Sequence, residues 1–138
     1  MSQLQVAEPA PRMLGMLPQT YRSFWTGGQD GALHLLRHRE TGRFIHPFWP
    51  VADDDPLLES VPVSGRGTVF TYTVNHQAYN PAVQPPYVIA IVQLDEQEDL
   101  RIATNIVDCD PQDVTIGMAV QVRFEAQGGL FVPVFVPA

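Results

Sequence analysis

The sequence predicts a mainly β chain with one short helix near its N-terminus. Five stretches after residue 60 are rich in β-branched and aromatic residues and are separated by turn chemistry. Thirteen prolines are far more than a helical bundle accepts, because each removes a backbone donor. Tyr21, Phe24 and Trp25, just after Pro18, repeat at the i, i+3, i+4 spacing of one helical face. At 138 residues the chain has room for one domain, or one domain with a small appendage.

Residues 1–17 carry neither the charged start nor the continuous apolar run of a signal peptide and read as a loose arm. Pro18 suits an early helical position, and Gly27-Gly28 ends the helix. The following Gly-Gly-Gln-Asp-Gly lacks the preceding strand and the Lys-Ser/Thr of a phosphate-cradling loop, so it reads as a turn. Residues 33–37 predict a short strand, returned by a hairpin-like turn at Thr41-Gly42 into residues 43–46. Segment 18–59 is therefore a helix followed by an irregular, Pro-rich hairpin, and 60–138 is all-β.

Within 60–138 the expected strands cover residues 66–78, 86–95, 99–108, 117–126 and 130–137. The second is a nearly continuous apolar run, as for a strand covered on both faces. The first contains a glycine and is long enough to bend. Asp110 followed by Pro111 predicts a capped single helical turn between the third and fourth strands, placed to plug one end of a barrel. Five such strands make up a small closed or partly closed barrel of OB-fold type; a small sandwich would read much the same.

A net charge of −7, and eight scattered arginines without a single lysine, disfavour a nucleic-acid partner. The absence of an 18-residue apolar stretch excludes a membrane-spanning helix. A single cysteine, Cys109, excludes an internal disulfide and a multi-thiolate zinc site, and fits a reducing cytoplasm. His34, His38, His46 and His76 could in principle gather around a metal. His38 and His46 with Asp53, Asp54 and Asp55 give a loose nitrogen and oxygen set, but structural zinc wants thiolates in short paired spacings, so an exposed knuckle is the reading. The carboxylates of Asp108 and Asp110 beside Cys109 raise its pKa and disfavour a nucleophilic thiolate. Ser64, His76 and the acids form no catalytic motif, and Asp95, Glu96, Glu98 and Asp99 read as a solvated turn. Phe70 and Tyr72, near Arg66 and Arg101, could stack bases, against which the acidic composition weighs. Tyr21, Phe24, Trp25, Phe44, Phe48 and Trp49 are more rings than a short helix and hairpin can bury alone. They predict either a partner surface or packing within the chain.

Several stretches resemble, in order and spacing, the zinc-ribbon and OB-fold accessory proteins of domain of unknown function 35. These are SFWTGGQDGALHLLRH, GRFIHPFWP, VPVSGRGTVFTYTV, PPYVIAIVQLDE, LRIATNIVDCDPQDVTIGMAVQVRFE and VPVFVP, and the likeness runs over about residues 20–138. The resemblance implies a helix, a rubredoxin-like ribbon and an OB-fold. It further implies a non-catalytic accessory subunit of a thiolase-superfamily enzyme, a thiolase or thiolase-like aldolase, acting on acyl-CoA in lipid or steroid catabolism. The family's zinc cysteines would fall at His38, Thr41, Ala52 and Asp55; none is cysteine, so no zinc is carried over and no cofactor is expected. A metal-free ribbon would be held by Phe44, Phe48 and Trp49 and by the turn residues Gly42, Pro47 and Pro50. Tyr21, Phe24, Trp25, Phe48 and Trp49 would dock the partner. Tyr79, Tyr87, Arg66 and Arg101 would meet the acyl-CoA, the arginines at its phosphates. The alternatives are a stand-alone acyl-CoA or small-ligand binding module and, with no residue set to support it, an independent enzyme; a homodimer through the aromatic region fits all three.

Overall fold

In a computed structural model, residues 19–47, 49–52, 55–77 and 84–138 are described. Helix α1 (Gln19–Thr26) turns the aromatic face inward: Tyr21 and Phe24 are buried, and Trp25 meets Phe24 edge-on at 5.1 Å between ring centroids. A 3-10 turn over Gly27–Asp30 follows and is closed by left-handed Gly31. At Gly28 a Cβ would collide with Phe124 and Phe131, so the missing side chain lets this turn lie against the C-terminal strands.

Strand β1 (Leu33–His38) pairs antiparallel with β2 (Leu58–Val63), from Leu33 opposite Val63 to His38 opposite Leu58. The hairpin expected between residues 33–37 and 43–46 shrinks to one bridge, Arg37 opposite Phe44. Pro47 ends that return strand, whereas residues 58–63 supply a full six-residue ladder. The two-stranded sheet thus runs past residue 60, and the next strand opens at Arg66.

That strand, β3 (Arg66–Asn75), begins a closed barrel with β4 (Tyr87–Leu94), β5 (Arg101–Ile106), β6 (Ala119–Gln127) and β7 (Leu130–Pro137), in the order β3-β4-β5-β7-β6. This is the five-stranded OB-fold. β3 closes the ring by pairing with β4 along most of its length and with β6 at Arg66, Gly67 and Thr68. The interior holds Val69, Val92, Leu94, Ile102, Val120 and Phe135, all nearly inaccessible to solvent. Asp110 caps the expected helical turn, Pro111–Asp113, by accepting from the Gln112 amide at 2.9 Å, and the next residue, Val114, is buried in the core. Among the described residues no helix is long and apolar enough to cross a membrane.

The second barrel strand departs from expectation. Val88, Ala90, Val92 and Leu94 point inward, but on the other face Ile89 is 40% exposed and Ile91 half-buried, so among the described residues β4 is fully covered on one face only.

At Gly67 the ring is tightest, because a Cβ there would press into the Gln93 carbonyl and stand 2.8 Å from Val92 Cγ1. Overpacking of a close-packed site costs about 1–3 kcal/mol. Gly67→Ala is therefore expected to lower the unfolding free energy by that amount, seen as a lower urea midpoint at unchanged m-value by circular dichroism.

Candidate functional site

The loop 39–57 hangs between β1 and β2 and is tied down from two sides. On one side, Tyr21 donates its hydroxyl to the Trp49 carbonyl, and burial raises the Tyr21 pKa. Beneath the loop Tyr21, Leu36 and Leu58 form a small buried cluster with Ile45 and Val51 against it. On the other side, Gln97 from the β4–β5 turn reads the backbone of Phe44 twice. The Phe44 amide donates to Oε1 at 2.8 Å, and Nε2 donates to the Phe44 carbonyl at 3.2 Å. Gln97 also donates to Asp99 at 2.8 Å, and Asp99 pairs with Arg43. The Gln97 amide first of all, with a lesser contribution from the Arg43 guanidinium, holds the Asp99 carboxyl below its ordinary range, against an opposing effect of desolvation. Between loop and turn lies a groove of about 380 Å³ lined by Phe44, Ile45, Trp49 and Leu100, with Arg43 and Asp99 at its rim. The acidic turn, expected to be solvated, is thus exposed in its acids but structural through Gln97. Nothing local in the sequence signals this, since Gln97 and Phe44 lie 53 residues apart.

Of the rings expected to dock a partner, Tyr21 and Phe24 lie inside the chain's own core and Trp25 is half-buried. Trp49 stands 62% exposed, and Phe48 lies outside the described residues. Phe44 packs, half-buried, against the main core, whereas the Trp49 ring is exposed and its backbone carbonyl, with the Tyr21–Leu36–Leu58 cluster, helps hold the loop.

The expected ligand residues fall on one barrel surface but at its two ends. Arg101 opens β5 opposite Gln93, and Arg66 opens β3 beside Gly67, which faces Leu94. Tyr87 opens β4 and accepts from Asn75 Nδ2, six residues from Gln93 and so about 20 Å away at the rise of a strand. Tyr79 lies outside the described residues. Between the two ends a β-bulge between Val69 and Thr71 inserts Phe70 as an extra residue and turns it outward, 46% exposed. The Arg101 guanidinium lies 3.9 Å from the centre of that ring, with Nε donating to Gln93 Oε1 at 3.3 Å. The sequence marks Phe70 only as a base-stacking candidate; the bulge that exposes it has no sequence signal. Cys109 is half-buried, and burial first, then Asp113, Asp110 and Asp108, push its thiol pKa up.

A profile described as "ChsH2, C-terminal OB-fold domain" matches residues 60–125. A solved structure titled "Ltp2-ChsH2(DUF35) aldolase" superposes with TM-score 0.73 at 31% identity, covering 88% of this chain and 97% of that one. The chain belongs to the DUF35 family. A DUF35 domain-containing scaffold protein of Methanocaldococcus jannaschii is 49% identical over 68 residues, 49% of this chain and 47% of that protein. A probable enoyl-CoA hydratase alpha subunit of Thermomonospora curvata is 41% identical over 137 residues, 95% of this chain and 42% of that protein. This chain thus spans less than half the length of these curated relatives.

This DUF35 chain does not fit the zinc that the resemblance associates with its ribbon. Its four knuckle positions contain no thiolate, and His38 Nδ1 already accepts from the Thr41 amide at 3.4 Å. Asp55 Oδ1 accepts from the Leu57 amide at 2.9 Å. Side-chain acceptors thus bind the knuckle N–H groups, and Arg39 N–H joins the two knuckles through the Leu57 carbonyl at 2.8 Å. Among the described residues no three His, Cys, Asp or Glu side chains come together; Asp53 and Asp54 lie outside them. In this DUF35 chain a barrel residue, Gln97, joins in anchoring the loop.

Two buried-edge hydrogen bonds contribute about 1–2 kcal/mol together. Gln97→Ala is expected to lower Tm by roughly 4–8 °C, while excess chelator leaves the wild-type Tm unchanged, both read by differential scanning calorimetry.

Proposed function

We propose that this chain is a non-catalytic accessory subunit of a thiolase-superfamily enzyme, a thiolase or thiolase-like aldolase, that acts on acyl-CoA esters in lipid or steroid breakdown. The observation that carries this reading is the superposition over 97% of the DUF35 chain of an aldolase complex. The chain's own chemistry agrees with it. The Cys109 thiol is held protonated, and Ser64 and His76 stand at opposite ends of β3. These three residues therefore do not form a nucleophile–base pair. The names of the relatives favour one substrate class: an enoyl-CoA hydratase makes a 3-hydroxyacyl-CoA, and an aldolase cleaves the Cα–Cβ bond of such an ester. The barrel end that carries Tyr87, together with Tyr79, would line the acyl-CoA path.

One observation favours the second reading, a stand-alone acyl-CoA binder: Arg66 and Arg101 make no ion pair among the described residues and could meet the CoA phosphates.

The two readings part in one experiment. With a thiolase-superfamily protein of the same genome co-expressed, the accessory reading expects co-elution on gel filtration and partner activity that falls at least tenfold when this chain is withheld. Separate elution with unchanged activity overturns it. The stand-alone reading instead expects saturating CoA esters, at 100 times their Kd, to stabilise the isolated chain by about 2.7 kcal/mol.

A further inference from the structure

The outward face of β3, β4 and β5 is a sheet surface that exposes Phe70 and Ile89 among the described residues. Along β4 it presents Ile89 and Ile91; across the ladders these meet Thr73 and Thr71 on β3 and Asn105 and Ala103 on β5. Phe70 enters through its bulge. Phe70 and Ile89 are 46% and 40% exposed, and Ala103 is exposed. Three strands about 4.8 Å apart and about 20 Å long give a flat face of roughly 300 Å², on which Phe70, Ile89, Ile91 and Ala103 form the apolar centre among threonines, Gln93 and Asn105.

Charge marks the same face. The chain carries fifteen acidic residues against eight arginines, yet none of the 24 residues of β3, β4 and β5 is acidic. Arg37, Arg39, Arg43 and Arg123 all have carboxylate partners within the chain. Arg66 and Arg101, at one end of this face, have none among the described residues. Arg101 is moreover set in place, its plane against Phe70 and its Nε on Gln93, which leaves the two terminal nitrogens of its fork for an incoming group. Holding a guanidinium before it binds lowers the ordering cost of a bidentate carboxylate pair.

We propose that this face, centred on Phe70, Ile89, Ile91 and Arg101, docks the enzyme partner, and that the partner meets it with an apolar surface bearing a carboxylate for Arg101. The assignment rests on the accessory-subunit reading and adds the face and its chemistry. A second copy of this chain is a poor occupant, because a two-fold contact lays the same uncompensated arginines and the same acid-free face on themselves. A nucleotide-like ligand is poorer than a protein, because the apolar rows lie on the outside of a sheet, whereas small ligands are held in concave sites. Packing on the outer side also accounts for the unbroken apolar run of β4, which among the described residues is fully covered on one face only.

The test uses the full chain with the thiolase-superfamily protein of its own genome, their affinity measured by isothermal titration calorimetry. Ile89→Lys and Arg101→Glu are expected to weaken association at least tenfold each, with the Tm of the isolated chain held. Leu57→Lys, at an exposed site on the loop side, should leave the affinity within twofold. Hydroxyl-radical footprinting of the wild-type complex should protect Phe70 and Ile89, a readout independent of any variant. Wild-type association that neither β-face variant weakens overturns the face while leaving the accessory reading standing; so does an affinity lost in Leu57→Lys instead. No wild-type association at all overturns both. The face assignment also falls if the isolated chain sediments as a dimer that Ile89→Lys dissociates. It falls equally if Arg101→Glu abolishes stabilisation by CoA alone while protein association is unchanged.

Discussion

The approach of β3 to β4 at Gly67 is the constraint on which the rest of the structure depends. There β3 is bonded on both edges, to β4 along the strand and to β6 over three residues, and only a residue without a side chain lets the Gln93 carbonyl come close enough. Closing the ring abolishes sheet edges and buries Phe135 and Val92 completely. It also turns the alternate residues of β3, β4 and β5 outward. The outer face is thus a consequence of closure, and the bulge at Phe70 sets two successive residues, Phe70 and Thr71, on it.

The N-terminal segment leans on that barrel. Gly28 lets the turn after α1 touch Phe124 and Phe131, and Gln97 reaches back from the β4–β5 turn to hold Phe44 by both backbone groups. A structural zinc contributes about 10–16 kcal/mol of folding free energy, far more than two hydrogen bonds. The loop therefore relies on apolar burial as well: Tyr21, Leu36 and Leu58 are each worth about 1.5–3 kcal/mol when fully buried. Because part of this support, through Gln97, comes from the barrel, the ribbon-like loop and the OB-fold are coupled in a way that a self-contained metal knuckle need not be.

In this family setting, the chain presents two kinds of surface. The loop side offers a groove beside an exposed Trp49, and the barrel side offers an acid-free apolar face with a pre-set arginine. In the sequence Arg66 and Arg101 stand out as phosphate partners because cations are few. Under the docking proposal Arg101, stacked on outward Phe70, would meet a partner carboxylate instead, a charge pair that burial of the contact strengthens and open solvent would screen.

Much of the architecture is legible in the order of residues alone. Each of the five barrel strands is marked by β-branched and aromatic residues between turns, and Asp110-Pro111 marks its capped helical turn, because these signals act within a few residues. The helix face of Tyr21, Phe24 and Trp25 is legible too, though its destination in the core is not. What only the tertiary structure decided were matters of long-range pairing. β1 takes residues 58–63 in preference to 43–46, Gln97 clamps a residue 53 positions away, and the bulge exposes Phe70. Ile89 on one face of β4 is left exposed among the described residues, where the apolar run had implied cover on both faces. The sequence by itself determined which residues form strands and turns, since local sterics and hydrogen bonding suffice for that. Which strand pairs with which, and which apolar face is left for another molecule, depends on barrel closure, whose contacts join residues with no local mark of one another.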